Sequence, residues 1–390
     1  QNAIPDLYEY SEKLNEQRTF AATGEGNKDL EDAGEENVKE MRKVLKILES
    51  GVNIEYRCIK CRSCGDCKRA IETERVSLRE EAEEQEIWDS VVLNFEDERI
   101  EVYMPVRGKE EDFLSNNEDI ALKVLLQQCK KHGEDEETKA LIKKALDKLT
   151  SNGHAIPFSE LSEEQKQKIL TKKVQHFIPW RIVYNKNSLS TPCRLVFDAT
   201  TKTAETTEGG GRCLNDLVMK GRITTINLVR MLLRFLVGRN AAAGDLKMFY
   251  NALKMSEDQW NLQQILYKED IGMEAEVIHG VITTAIYGVK CVSAQSEVAK
   301  EKLANHIRPE DPELADTLKN SLYVDDIGDS KPDDISINRL TDAADKLFKS
   351  VGMEVKGWTK TGEDPNEELS TDCLLYTSDA ADDSLRVDLG

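Results

Sequence analysis

SLYVDDIGDS, residues 321–330, runs three strand-forming residues (Leu322, Tyr323 and Val324) into the adjacent carboxylates of Asp325 and Asp326, then into short polar residues. This pattern predicts a hairpin turn with the acids at its tip and Asp329 as a further turn acid. Upstream, AAAGDLKMFYNAL, residues 241–253, brings small residues up to Asp245 and follows them with the aromatic pair Phe249 and Tyr250. If the two segments are neighbouring strands of one sheet, Asp245 and Asp325 can share a pair of divalent cations. Two metals held between carboxylates suit in-line phosphoryl transfer, one at the attacking oxygen and one at the leaving group. An Asp-Asp turn alone is usually a solvated turn former, so the reading depends on the segments around it.

Those segments occur in a definite order. HFIPWRIVYNKNSLSTPCRLVFDAT (176–200) precedes GDLKMFYNAL (244–253); YGVKCVSAQSE (287–297), LYVDDIG (322–328) and GMEVKGWTK (352–360) follow. In order and wording they resemble the reverse transcriptase of BEL/Pao-type LTR retrotransposons, over roughly residues 54–370 and most specifically over 176–360. The resemblance implies an α+β fold: right-hand polymerase fingers and palm, with an antiparallel palm sheet and packed helices. It implies a chain truncated before a complete thumb, and hence weak or no processive synthesis. The implied activity is RNA-directed DNA polymerisation, a two-metal nucleotidyl transfer from dNTP to a primer 3′-hydroxyl.

The resemblance also assigns roles. Asp245 and Asp325 are implied as the main ligands of two Mg²⁺, with Asp326 in support and the Leu246 carbonyl as a further ligand; hard carboxylates suit Mg²⁺. Tyr250 matches the steric gate that excludes a 2′-hydroxyl; the alternative is an aromatic packed in the core. Arg194 matches a triphosphate-binding arginine. Lys186, across the turn NKNSLSTP, is a second cation for the triphosphate, with Arg181 as the alternative. Gly288 is implied to allow close backbone approach beside the nascent base pair, and Gln295 to contact primer or template. Either Lys356 or Lys360 is implied near the leaving group. Implied partners are an RNA template, a DNA primer, dNTPs and the other Gag-Pol parts (protease, ribonuclease H, integrase, capsid). The implied location is cytoplasmic, in a virus-like particle.

The rest of the chain divides by composition. Residues 1–53 read as an acidic flexible lead-in with a helix that aligns Val38, Met41, Leu45 and Leu48. Residues 54–160 read as a Cys-cluster and helix/hairpin linker region. It holds a charged helix over 72–88, a hairpin around Asp97-Glu98, and helices over 117–131 and 136–149. Residues 161–372 hold the fingers and palm, with helices over 224–238, 292–307 and 334–350. CLLYTSDAADDSLRVDLG (373–390) has no continuity with what precedes it and resembles a translated sequencing adaptor, so it is set aside as an artefactual tail.

Cys58, Cys61, Cys64 and Cys67 are each separated by two residues. Paired Cys-x-x-Cys knuckles suggest Zn²⁺, but the two-residue gap between them strains one tetrahedral site, so a reduced surface cluster is the alternative. The 390-residue chain carries a net charge of −20, yet residues 165–240 hold 14 Lys/Arg against 4 Asp/Glu. A basic block ahead of a carboxylate site suits template and triphosphate, or else marks solvated helix faces. No apolar run is long enough to span a membrane. A non-catalytic nucleic-acid-binding or assembly module, from a decayed or domesticated element, is the main competing function. A palm polymerase that copies RNA into RNA would usually carry Gly-Asp-Asp, with a small polar residue in place of Tyr250.

Overall fold

The computed structural model describes residues 78–184, 193–207, 209–222 and 225–362. The expectations for residues 1–53, the four clustered cysteines, Lys186 and the tail at 373–390 fall outside these residues. The architecture is mixed α/β, with small, mostly antiparallel sheets and helices packed on them.

Helix α1 (Leu78–Asp89) leads into the hairpin β1 (Val91–Asn94) and β2 (Arg99–Val102), closed at Glu98 with φ 48°. Helix α2 (Glu118–His132) buries Ala121, Val124, Leu125 and Cys129, the three-to-four spacing of one helical face. Acids in its first turn and Lys130, Lys131 and His132 in its last complement the helix dipole. Helix α3 (Glu136–Ser151) buries Ile142, Leu146 and Leu149. Next come β3 (Ala155–Pro157) and α4 (Glu163–Leu170), the latter started by a capping box between Ser162 and Gln165. Strands β4 (Trp180–Tyr184) and β5 (Cys193–Phe197) form an antiparallel hairpin.

Helix α5 (Leu228–Val237) begins at Asn227, whose side chain accepts from the Arg230 N–H, so the helix expected from 224 starts later. Strand β6 (Asn240–Leu246) follows, then β7 (Leu253–Met255), β8 (Gln264–Tyr267) and β9 (Ile278–Ile282). Helices α6 (Val292–Ile307) and α7 (Pro312–Ser321) precede β10 (Leu322–Tyr323) and β11 (Asp326–Lys331). Helix α8 (Asp334–Lys349), capped by Asp333, leads to β12 (Val355–Lys360). One four-stranded sheet has the order β10-β11-β6-β12, all antiparallel.

Among the described residues, elements before residue 160 pair with elements after it. Strand β2 pairs in parallel with β7, setting Ile100 against Leu253 and Val102 against Met255. Strand β3 pairs with β9. The Asn117 side chain donates to the Phe177 carbonyl at 2.8 Å and accepts from the Phe177 N–H at 2.7 Å, as a strand neighbour would. Residues before 160 thus supply sheet partners and core to those after it.

Gln295, expected to meet primer or template, belongs to the same seam. It is fully buried: its amide donates to Ser90 Oγ at 2.9 Å and to the Tyr103 carbonyl at 2.7 Å. These bonds satisfy the buried amide and tie α6 to the β1–β2 hairpin.

Three enclosed histidines give the fold a pH limit. His176 lies with Nδ1 3.1 Å from the Leu262 carbonyl, and His279 stacks on Phe158. Burial pushes the pKa values of His154, His176 and His279 down to about 4. The unfolded chain takes up protons below the ordinary value near 6.5 while the folded chain does not until about 4. The histidine contribution to stability is therefore expected to fall as pH drops from about 6.5 to 4, and carboxylates held below their ordinary range, such as Glu101 and Asp198, extend the loss to lower pH. His176 alone contributes about 3 kcal/mol of the loss. Urea titrations at stepped pH check this; a flat midpoint across the window would contradict it.

Candidate metal centre

Strand register brings the acids together. In the pairing of β11 with β6, Asp326 stands directly opposite Asp245. Asp325 sits in the turn before β11, and its carbonyl accepts from the Leu246 N–H at 2.8 Å. One carboxylate oxygen from each of Asp245, Asp325 and Asp326 lies within 4.8 Å of the others. Like charges directly across a ladder repel, so this arrangement costs stability unless a cation answers it. Loss of solvent, then the Asp245 charge, raises the Asp325 pKa above its ordinary value. Loss of solvent, then Asp325 and Asp245, pushes Asp326 up to about 6.

The turn is strained. Val324 holds φ 55°, a left-handed conformation that a β-branched residue rarely adopts. Such strain persists only where neighbours enforce it. Here the Tyr323–Asp326 pair and the Leu246 contact do so.

Of the two lysines left open by the sequence, the structure brings Lys356 to the acids. Strand β12 shifts register between Val355 and Trp358, and this bulge turns Lys356 toward Asp245, with which its ammonium pairs. Gly244 makes room for the bulge, because a Cβ there would come within 2.8 Å of Val355 Cγ1. Lys360 instead donates to Asn338 Oδ1 at 2.7 Å.

Tyr250 lies in a short 3₁₀ turn after Met248 and is 7 % exposed. Its phenol faces Ser293 and Ser296 on α6, and burial raises its pKa, with the Asp325 charge adding to the rise. The exposed Tyr287 ring meets it edge-on at 4.3 Å. The ring therefore belongs both to the core and to the edge of the acid cluster.

The remaining expected residues fare differently. Arg194 lies on β5 opposite Val183, half-buried, while Arg181 on β4 is exposed. Gly288 has φ 105°, and a Cβ there would lie 2.2 Å from the Phe197 carbonyl. The close approach that demands glycine is therefore to the chain's own backbone. Asp329, read as a turn acid, is instead buried in β11; it accepts from the Thr317 hydroxyl and from Lys331 Nζ at 3.0 Å. Sequence reasoning missed the buried ion pair of Glu297 and Lys300 on α6. Its i, i+3 spacing was visible, but its burial was not.

Replacing Asp326 with Asn tests the electrostatic cost. An acid whose pKa is raised on folding destabilises the fold above its unfolded pKa, and fully so above its folded pKa. In metal-free buffer at pH 7, Asp326→Asn is expected to stabilise by about 1 kcal/mol after solvent screening, a few degrees in Tm. The advantage should vanish below pH 4. A melting temperature below that of the native chain at pH 7 would contradict the repulsion.

No protein-family model and no curated protein matches the chain. Among solved structures, it is similar to the foamy viral protease-reverse transcriptase in complex with double-stranded DNA, with 17 % identity and a TM-score of 0.39. That match covers 56 % of this chain and 30 % of the other. The same viral protein in complex with an RNA/DNA hybrid gives 16 % identity and a TM-score of 0.39, over 57 % of this chain and 24 % of the other. The chain thus spans less than a third of the length of either structure.

Proposed function

We propose that the chain is the fingers-and-palm part of an RNA-directed DNA polymerase from a BEL/Pao-type retroelement, with its catalytic centre at Asp245, Asp325 and Asp326. The observation that carries this reading is the cross-strand meeting of three carboxylates at a strained turn. Lys356 offsets part of that repulsion, and the all-oxygen donor set suits Mg²⁺. Asp245 and Asp325 would hold the metal, with Asp326 in support. When bound, two such ions activate a primer 3′-hydroxyl and stabilise the charge on the departing pyrophosphate.

The chain's own residues do the rest. The β11–β6 register holds the carboxylates at fixed spacing. Lys356 lies where a cation can neutralise charge on a leaving phosphate. Tyr250 offers a ring edge that a 2′-hydroxyl would strike, and Arg194 supplies a guanidinium for the triphosphate.

The test is single-nucleotide addition to a DNA primer annealed on RNA, with the 390-residue chain and Mg²⁺. Addition that disappears with EDTA supports the reading. Tight RNA/DNA binding by folded chain without addition would favour the binding-module function instead.

A further inference from the structure

Helix α6 presents Ser293, Ser296, Glu297 and Lys300 on one face, at helical spacing. The first two lie near the Tyr250 hydroxyl, and the charge of Glu297 acts on the same phenol. Glu297 and Lys300 pair with each other, their side chains only 6 % and 7 % exposed. The Lys300 ammonium also donates to the Leu322 carbonyl at 3.2 Å. Leu322 is both the C-cap of α7 and the first residue of β10, three positions before Asp325.

A buried ion pair contributes little net stability, because desolvating two charges offsets their attraction; apolar groups of similar size often do as well or better. The value of this pair must therefore lie in where it places something. Strand β10 has only two residues, paired as Leu322–Ile327 and Tyr323–Asp326, so the ladder alone holds the turn weakly. The turn nevertheless carries the strained Val324. A donor fixed on α6 adds a restraint to the Tyr323–Asp326 pair and the Leu246 contact.

We infer that Lys300, held by Glu297, is a positioning residue. It anchors the Leu322 carbonyl so that the Tyr323–Asp326 turn presents its carboxylates in metal-binding geometry. The inference builds on the metal-centre reading above. Lys300 touches no reacting atom, and the same helix face positions Tyr250. One α6 surface therefore sets both the acids and the aromatic ring beside them.

The test uses the full chain as Glu297→Gln/Lys300→Met, which removes both charges at similar volume and leaves no unpaired ion. Lys302→Met is the control, since that lysine donates from the same helix to the Val91 carbonyl, at 2.6 Å. Two readouts avoid activity: Mn²⁺ binding by electron paramagnetic resonance, and amide exchange across residues 322–327.

The double variant is expected to melt near the native temperature yet bind Mn²⁺ about tenfold more weakly, as loss of an outer-shell support does. Its turn amides should exchange about tenfold faster, as local opening becomes easier. Lys302→Met should leave both unchanged. Native Mn²⁺ affinity in the double variant, whatever its exchange, overturns the inference while leaving the metal centre standing. A native chain that binds no Mn²⁺ removes the metal centre itself, and the inference with it.

Discussion

Asp325→Asn is expected to lower Mg²⁺-dependent nucleotide addition by about a thousandfold or more, because the proposed phosphoryl transfer would lose a main metal ligand. The fold should survive. Asp325 accepts at its backbone carbonyl, which the substitution keeps, and its raised pKa marks a carboxylate the fold would rather lose. Removing it should hold or raise the melting temperature in metal-free buffer. Asp329→Asn gives the opposite pattern. That acid is buried between Thr317 and Lys331, so its loss should cost about 1–3 kcal/mol of stability and spare the chemical step. Rapid-quench addition assays beside thermal melts separate the two. Equal addition rates in the native chain and Asp325→Asn would remove Asp325 from catalysis.

Tyr250→Val is expected to raise ribonucleotide use relative to deoxyribonucleotide use by about a hundredfold, the range that one steric contact can discriminate. The ring is buried and close enough to Asp325 to feel its charge, so on the proposed reading a 2′-hydroxyl beside the acids would meet it. Because it also fills core, the variant should lose about 2–4 kcal/mol. Tyr250→Phe separates these effects: it keeps the ring, and with it the selectivity and the packing. Competition between ATP and dATP on a primed template measures the ratio. A folded Tyr250→Val with native discrimination would leave Tyr250 only its packing role.

What could be read from residue order was local. Helices α6 and α8 begin where their patterns predict, and the hairpin around Asp97-Glu98 closes where alternating apolar residues meet polar ones. That Asp245 meets the Asp325-Asp326 turn was implied by the resemblance of the ordered segments, since adjacent acids alone are usually solvated turn formers. Burial was harder to read. Gln295 and Asp329 are polar residues in polar surroundings along the chain, and only distant partners enclose them: Ser90 and Tyr103 for one, Thr317 and Lys331 for the other. Lys356 and Lys360 are four residues apart on one strand, and only the bulge between Val355 and Trp358 separates their fates.

The sequence by itself pointed to Asp245, Asp325, Asp326 and Tyr250 as the candidate centre, through short segments whose order and wording resemble a known family. Tertiary structure alone decided which cation reaches the acids, that the β1–β2 hairpin belongs to the same body as the site, and that the Glu297–Lys300 pair holds the strand leading into the turn. Each of these depends on contacts between residues far apart in the chain. Such contacts are set by the packing of the whole core, and no short pattern encodes them.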